Sequence, residues 1–290
     1  LYPALQKAIG NYAGEQTGSY DGIFGNIDLV SQVEMVDQNP IGRSSRSNPV
    51  TYVKAWDDIR ALFSALPAAK AGGLKPAAFS FNVEGGRCDT CQGEGEVKIE
   101  MQFMADIYLP CETCGGRRFK QQVLDITYQD KNVADILDLT IEEAVEFFKN
   151  EPKILQKLNP LLDVGLGYVH LGQSSNTLSG GEAQRIKLAS FLIKGNNAQK
   201  TMFIFDEPTT GLHFHDIKKL LKALNTLIEQ GNTILVIEHN MDMIKCADWV
   251  IDIGPEGGDK GGNVVFEGRP EDLLKAKGSY TGKFLKSHLK

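Results

Sequence analysis

The chain has 290 residues, 42% hydrophobic and 23% charged, with a formal net charge of −6 at pH 7. That length carries one large α/β domain with an insertion, or two modest domains. The acidic balance excludes chain-wide attraction to nucleic acid, so any such contact must come from local basic patches, and there is no run of about 18 apolar residues to span a membrane.

Leu1, Leu5 and Ile9 stand at helical spacing, so the chain opens inside a helix. LYPALQKAIG lacks an initial Met and the basic-then-apolar order of a secretion signal, and is read as a start within a longer polypeptide. The glycine-rich stretch 11–25 ends the helix. IDLVSQVEMVDQ (27–38) has strand character around Val33 and Val36 and runs into the polar loop NPIGRSSRSNP. Residues 50–67 read as a helix with Val53, Trp56, Ile59, Leu62, Phe63 and Leu66 on one face. From about 72 to 122, glycine, cysteine and aromatic residues interrupt short β-like runs, the texture of a small metal-stapled module.

Residues 132–150 and 151–163 read as helices, and Asn176 or Thr177 precedes another that carries QRIKLASFLIK. The strand MFIFDE, the helix HDIKKLLKALNTLIEQG and the strand TILVIEH then alternate, which predicts a parallel sheet covered by helices. GGNVVFEGRPEDLLK reads as a β-turn and strand followed by a short helix.

Of the five cysteines, four fall in two close pairs, Cys88-x-x-Cys91 and Cys111-x-x-Cys114. This is the spacing of a four-thiolate structural zinc site, and it points to a reducing cytosol rather than to disulfides. Four thiolates leave no open position for water, so catalytic zinc is not expected. Cys246 stands apart and is expected to be a small buried residue. Basic residues near the pairs, among them Lys75, Arg87, Arg117, Arg118 and Lys120, interleave with Phe79, Phe81, Phe103 and Phe119. Such a set suits nucleic-acid backbones and bases. The plainer alternative is solvated charge around a small apolar core, and Glu84, Glu94, Glu96, Glu100 and Glu112 dilute the patch.

Three strings carry nucleotide chemistry. MFIFDEP places Asp206 and Glu207 at the carboxyl end of an apolar strand, where open α/β sheets bind ligands. One carboxylate can hold a metal while its neighbour handles water. LSGGEAQRIKLA places Ser179, Gly180 and Gly181 at a helix start, which offers free amides to phosphate, with Glu182, Gln184 and Arg185 beginning the exposed face. ILVIEHN ends a second apolar strand at His239, which can sense a phosphate by hydrogen bonding. No G-x-x-x-x-G-K-[ST] phosphate loop occurs in the 290 residues.

Together these strings resemble the ABC ATPase superfamily. The resemblance implies that Ser179, Gly180 and Gly181 are the signature motif, with Gln184 beside them, closing over a nucleotide held by another module. It implies that Asp206 is the magnesium-associated carboxylate, Glu207 the general base, His239 the switch histidine, and Gln38 in VDQNPIG the Q-loop glutamine. Within the superfamily, QNPIGRSSRSNPVTY, FSFNVEGGRCDTCQGEG, VGLGYVHLGQSSNTLSGGEAQRIKLA and IDIGPEGGDKGG are similar to the UvrA family, the damage-recognising ATPases of bacterial nucleotide excision repair. The match is to the carboxyl-terminal half, from just after its phosphate loop. It implies an ABC ATPase core over 1–50 and 190–290, and a signature subdomain over 51–189 holding the zinc module. It further implies ATP and magnesium as ligands of the intact protein, a homodimer, damaged double-stranded DNA as partner, hand-over to UvrB through the other half, and a cytoplasmic setting. By itself the chain is expected to be inactive as an ATPase. Alternatives are a transporter motor, a translation-associated ATPase, and a zinc-dependent nucleic-acid-binding or chaperone module. CDTCQGEG matches one DnaJ-type repeat, but that reading leaves the ATPase strings unexplained.

Overall fold

The computed structural model describes residues 1–11, 14, 16–42, 44, 46–101, 106–195, 200–258 and 261–288. The chain divides into two compact units, Leu1–Asp37 with Asn196–Lys290, and Gln38–Gly195.

The first unit is built on a parallel sheet of β1 (Gln32–Val36), β4 (Thr201–Asp206) and β5 (Thr233–Ile237), in the order β1-β4-β5. Apolar runs without alternation belong to strands covered on both faces. MFIF of β4 fits that rule and occupies the centre, with Phe203, Ile204 and Phe205 buried. The helix Tyr2–Ala8 lays Leu5 against Val33 and Ile204. The helix Phe214–Glu229 links β4 to β5 and buries Ile217, Leu220, Ala223, Leu224 and Leu227 along one stripe. β6 (Val250–Gly254) and β7 (Asn263–Gly268) form an antiparallel hairpin. Two helices follow it, Pro270–Leu273 and Tyr280–His288.

The second unit is helical apart from the hairpin of β2 (Glu96–Ile99) and β3 (Ile107–Pro110), every residue of which is exposed. Its core is aromatic. Trp56, Phe63, Phe79, Phe81 and Phe119 are buried, and the Trp56 ring N–H donates to the Phe79 carbonyl at 3.1 Å. These phenylalanines therefore serve the core and offer no stacking platform; Phe103 lies outside the described residues. The ring centroids of Phe63 and Phe79 are 5.8 Å apart and those of Phe81 and Phe119 6.1 Å, within the range of favourable aromatic pairs.

Several boundaries differ from the sequence expectation. The 50–67 helix is broken at Lys54, in the left-handed region, between Pro49–Tyr52 and Ala55–Ala65. The 132–150 helix is two helices, Val133–Leu137 and Ile141–Phe147, because Thr140 and Glu143 form a capping box that starts a new one. Of the two starts read for the next helix, Asn176 or Thr177 gives way to the Ser-Gly-Gly start: Ser179 is the cap and the helix runs Gly180–Lys194. Cys246 is exposed, since the short Met241–Ile244 helix before it buries Met243 instead.

Phe63→Ala is expected to remove about 3–5 kcal/mol from the helical unit. Denaturant titration followed by tryptophan fluorescence checks this, because Trp56 is buried there while Trp249 of the other unit is 60% exposed.

Candidate nucleotide-facing edge and metal centre

Parallel register brings two strand ends to one edge. Asp206 is the last residue of β4 and pairs with Ile237, the last of β5. Beyond it Glu207 takes a φ of +45°, a left-handed conformation that non-glycine residues adopt at a cost and that is concentrated at functional sites. Its N–H still donates to the Ile237 carbonyl at 2.9 Å. The turn carries the Glu207 carboxylate to 3.8 Å from His239 Nδ1, and both side chains are open to solvent.

Glu238 was not assigned a task from sequence, although it stands directly before the histidine. Its carboxylate accepts from the Thr209 N–H at 2.8 Å, the Thr209 hydroxyl, the His239 N–H at 2.9 Å and the Asn240 N–H at 3.0 Å. It thus ties the loop after β4 to the loop after β5. The only signal for it was an acid inside VIEHN.

Ser179 caps the Gly180–Lys194 helix. Its hydroxyl accepts from the Glu182 N–H, and the Glu182 carboxylate accepts from the Ser179 N–H at 2.8 Å. The Gly180 and Gly181 amides are the first two of that helix and point out of its N-terminus, where the dipole favours an anion. A Cβ on Gly180 would lie 2.9 Å from Gln38 Cβ and 3.0 Å from Gln38 Oε1, so only glycine permits this approach. Gln38 and the Ser-Gly-Gly turn are therefore neighbours in the second unit, while Asp206, Glu207 and His239 belong to the first. Gln184 and Arg185, expected on an exposed face, are 2% and 6% exposed. The helix buries a wide arc, with Ala183, Ile186, Leu188 and Ala189 also inside. The Arg185 guanidinium donates to the Gly181 carbonyl and to the Tyr168 hydroxyl, which in turn donates to Glu182.

Cys88, Cys91, Cys111 and Cys114 converge with all four sulfurs within 4.8 Å of one another. The Cys88–Cys111 and Cys91–Cys114 sulfurs are 3.9 and 3.7 Å apart. Tetrahedral zinc with Zn–S bonds of about 2.3 Å requires S···S separations of about 3.8 Å, so the donor set fits. Gly93 makes the turn possible: its φ is +86° and a Cβ there would stand 2.0 Å from the Phe81 carbonyl oxygen. Burial raises the Cys91 thiol and pushes Cys114 up to about 12. Burial also opposes ionisation of Cys111, but the Cys114 amide, the Cys114 thiol and the Thr113 amide outweigh it and bring the group down to about 7. Without a cation the cluster therefore keeps protons that a metal must displace.

The basic residues near the module are mostly engaged. Arg87 donates to the Asn82 carbonyl and lies 3.7 Å from Glu84; Arg117 pairs with Asp135 at 2.7 Å and Lys120 with Asp89 at 2.9 Å. Arg118 turns inward over Phe81, with one guanidinium nitrogen 3.2 Å from the Gly172 carbonyl. Lys75 is exposed.

A parallel sheet with an acidic pair and a histidine on its carboxyl edge, together with a Ser-Gly-Gly helix start, defines the class of ABC-type ATPases. No family model matches the sequence. Pairwise comparison is decisive: the chain is 55% identical over 291 residues to UvrABC system protein A of Clostridium perfringens, and 53% over 293 residues to that of Aquifex aeolicus. Both matches take in 100% of the chain, and 30% and 31% of those proteins. UvrA2 from Deinococcus radiodurans superposes with a TM-score of 0.86 at 44% identity, over 92% of this chain and 32% of that one. The chain belongs to the UvrA family of the ABC ATPase superfamily. It spans about a third of the length of these relatives.

Zinc uptake is expected to release protons from at least Cys91 and Cys114, so affinity should fall as pH drops from about 8 to about 6. Competition with a chromophoric chelator across that range, with proton release followed in weak buffer, checks this. Cys111→Ser is expected to open residues 85–120 to protease while the parallel sheet stays folded, as limited proteolysis with mass mapping would show.

Proposed function

We infer that this chain supplies part of an ATP-hydrolysing site in a DNA-repair ATPase, one that recognises damaged duplex in bacterial nucleotide excision repair. The observation that carries the reading is the convergence of Glu207 and His239, 3.8 Å apart, beside Asp206 on the carboxyl edge of the sheet. Family membership supports it.

In this reading Glu207 takes a proton from the attacking water as oxygen adds to the γ-phosphorus and the bond to the β-phosphate oxygen breaks. His239 reports on the γ-phosphate by hydrogen bonding, and Glu238 fixes the backbone that presents it. Asp206 would hold magnesium, which when bound offsets phosphate charge. Behind the Ser179 cap, Gly180 and Gly181 direct amides toward a nucleotide bound by another module, and Gln38 and Gln184 support that turn. The four cysteines hold structural zinc.

The phosphate cradle comes from polypeptide outside these 290 residues, which contain no phosphate loop. Two features support a place for it on the first unit. Among the described residues β5 pairs only with β4, leaving the apolar run TILVI at a sheet edge. Trp249, just before β6, and Ile251 and Ile253 within it, alternate residues, are all exposed. A long apolar edge is normally covered.

The whole protein acts as a homodimer, reads DNA through shape and deformability because dissimilar lesions are accepted, and passes damage to UvrB through its other half. Lys75 is the exposed cation of the metal module that would meet phosphate, and Arg87, Arg117 and Lys120 would do so by exchanging their carboxylate partners for it. No helix among the described residues is long and apolar enough to cross a membrane.

The chain alone is expected to release no phosphate from ATP above background. In a full-length protein carrying this sequence, Glu207→Gln should retain ATP binding and lower turnover by about 10²–10⁴-fold. Phosphate-release assays with parallel nucleotide-binding measurements test both, and normal turnover in the variant would remove Glu207 from the role of base.

A further inference from the structure

Arg118 meets three different parts of its unit. Its backbone N–H donates to the Cys114 sulfur, and its carbonyl accepts from the Cys88 N–H at 2.9 Å. It does this at a φ of +70°, a left-handed conformation unfavourable to a non-glycine residue. The stem crosses Gly95, where a Cβ would lie 3.1 Å from Arg118 Cγ. The Gly95 N–H in turn donates to the Cys91 sulfur at 3.3 Å. The guanidinium stands 5.6 Å from the centre of the Phe81 ring and donates from Nη2 to the Gly172 carbonyl at 3.2 Å. Its Nη1 is buried and makes no hydrogen bond among the described residues.

Burying a guanidinium that incompletely satisfied is expensive unless a negative charge offsets it. Glu96 and Asp138 act most on Arg118, followed by Cys91 and Glu94, so the carboxylates and the cysteine cluster supply that offset together. Gly172 is itself positioned: its N–H donates to the Leu137 carbonyl at 2.8 Å. From Gly172 the chain runs to buried Ser175, whose N–H donates to the Ser47 carbonyl and whose hydroxyl donates to the Gly42 carbonyl, and then to the Ser179 cap. The segment entering the Ser-Gly-Gly turn is thus anchored at one end by a cation that the metal cluster holds in place.

The geometry points to Arg118 as a positioning residue that makes the order of residues 172–175, the approach to the Ser179 helix start, depend on metal occupancy. Loss of the ion frees the two cysteine pairs that hold the Arg118 backbone through the Cys114 sulfur and the Cys88 N–H, so the left-handed residue relaxes, its stem moves off Gly95 and the guanidinium releases the Gly172 carbonyl. A second tie between the module and the loop after Gln38 is weaker, because Arg46 reaches the Gln92 carbonyl only at 3.4 Å and Glu94 only at 3.9 Å, both partly exposed.

The inference rests on the zinc reading, and the test separates the two. Amide hydrogen exchange is measured on the wild-type chain loaded with zinc, the same chain stripped by chelator, and zinc-loaded Arg118→Gln, with zinc content determined on each sample. Stripping is expected to speed exchange at Gly172 and Ser175 about tenfold, the size of one lost charge-assisted hydrogen bond. Arg118→Gln is expected to show the same acceleration with zinc still bound, and a zinc affinity lowered about tenfold that Arg118→Lys largely restores by returning the cation. Arg46→Ala should leave exchange at 172–175 unchanged. Wild-type protection at Gly172 and Ser175 after stripping, or in the zinc-loaded Arg118→Gln chain, overturns the proposal. Should Arg118→Gln not fold, the stripped wild-type comparison decides alone. A chain that takes up no zinc overturns the metal reading and the proposal with it.

Discussion

The constraint on which the rest depends is the parallel pairing of β1 with β4, residue for residue from Gln32 opposite Thr201 to Val36 opposite Phe205. A parallel pair cannot be joined by a tight turn, so the chain must leave from one end of the sheet and return to the other. The whole helical unit, Gln38–Gly195, is that crossover. Because Val36 and Phe205 are level, the chain departs toward Gln38 from the same edge at which Asp206 ends β4. An insertion of this size is tolerated because loop-closure cost grows only slowly with length and the inserted residues bring their own core.

That core and the metal centre divide the work inside the helical unit. Trp56, Phe63, Phe79, Phe81 and Phe119 bury enough apolar surface to hold the helices and the approach to the first cysteine pair. Beyond them lies a short hairpin exposed along both strands, with little to bury. A module that small needs a cross-link, and the two cysteine pairs that flank the hairpin in sequence bring four sulfurs together in an arrangement suited to a metal that would supply it. The aromatic core and the cysteines meet at Gly93, where the turn between the two pairs presses against the Phe81 carbonyl.

Legibility in the sequence followed the locality of the cause. An unbroken apolar strand ending in two acids, and paired cysteines two residues apart, are local patterns with few physical meanings, and the sheet and the metal cluster followed from them. Competing caps were harder: Asn176, Thr177 and Ser179 can each start a helix, and Ser179 prevails because Glu182 returns its hydrogen bond. Burial of Arg185 was hidden because a polar side chain in a helix carries no sign of the Tyr168 hydroxyl and Gly181 carbonyl waiting for it. The phenylalanines among the basic residues read equally as a stacking surface or a core, and only packing against Trp56 separates the two. Glu238 escaped notice because Thr209, the partner that makes it a tie between two loops, lies 29 residues away beyond the end of β4.

The left-handed backbone at Glu207 has a further consequence. A glycine there would hold the same turn without strain, easing the fold by roughly 1 kcal/mol, yet it would delete the carboxylate that faces His239. The residue that best suits the backbone is thus one that cannot make the approach to His239, and a side chain kept against backbone preference sets stability against another demand. Screens that select variants of this chain for thermal resistance alone would be drawn toward that position and would return well-folded proteins stripped of the carboxylate beside His239.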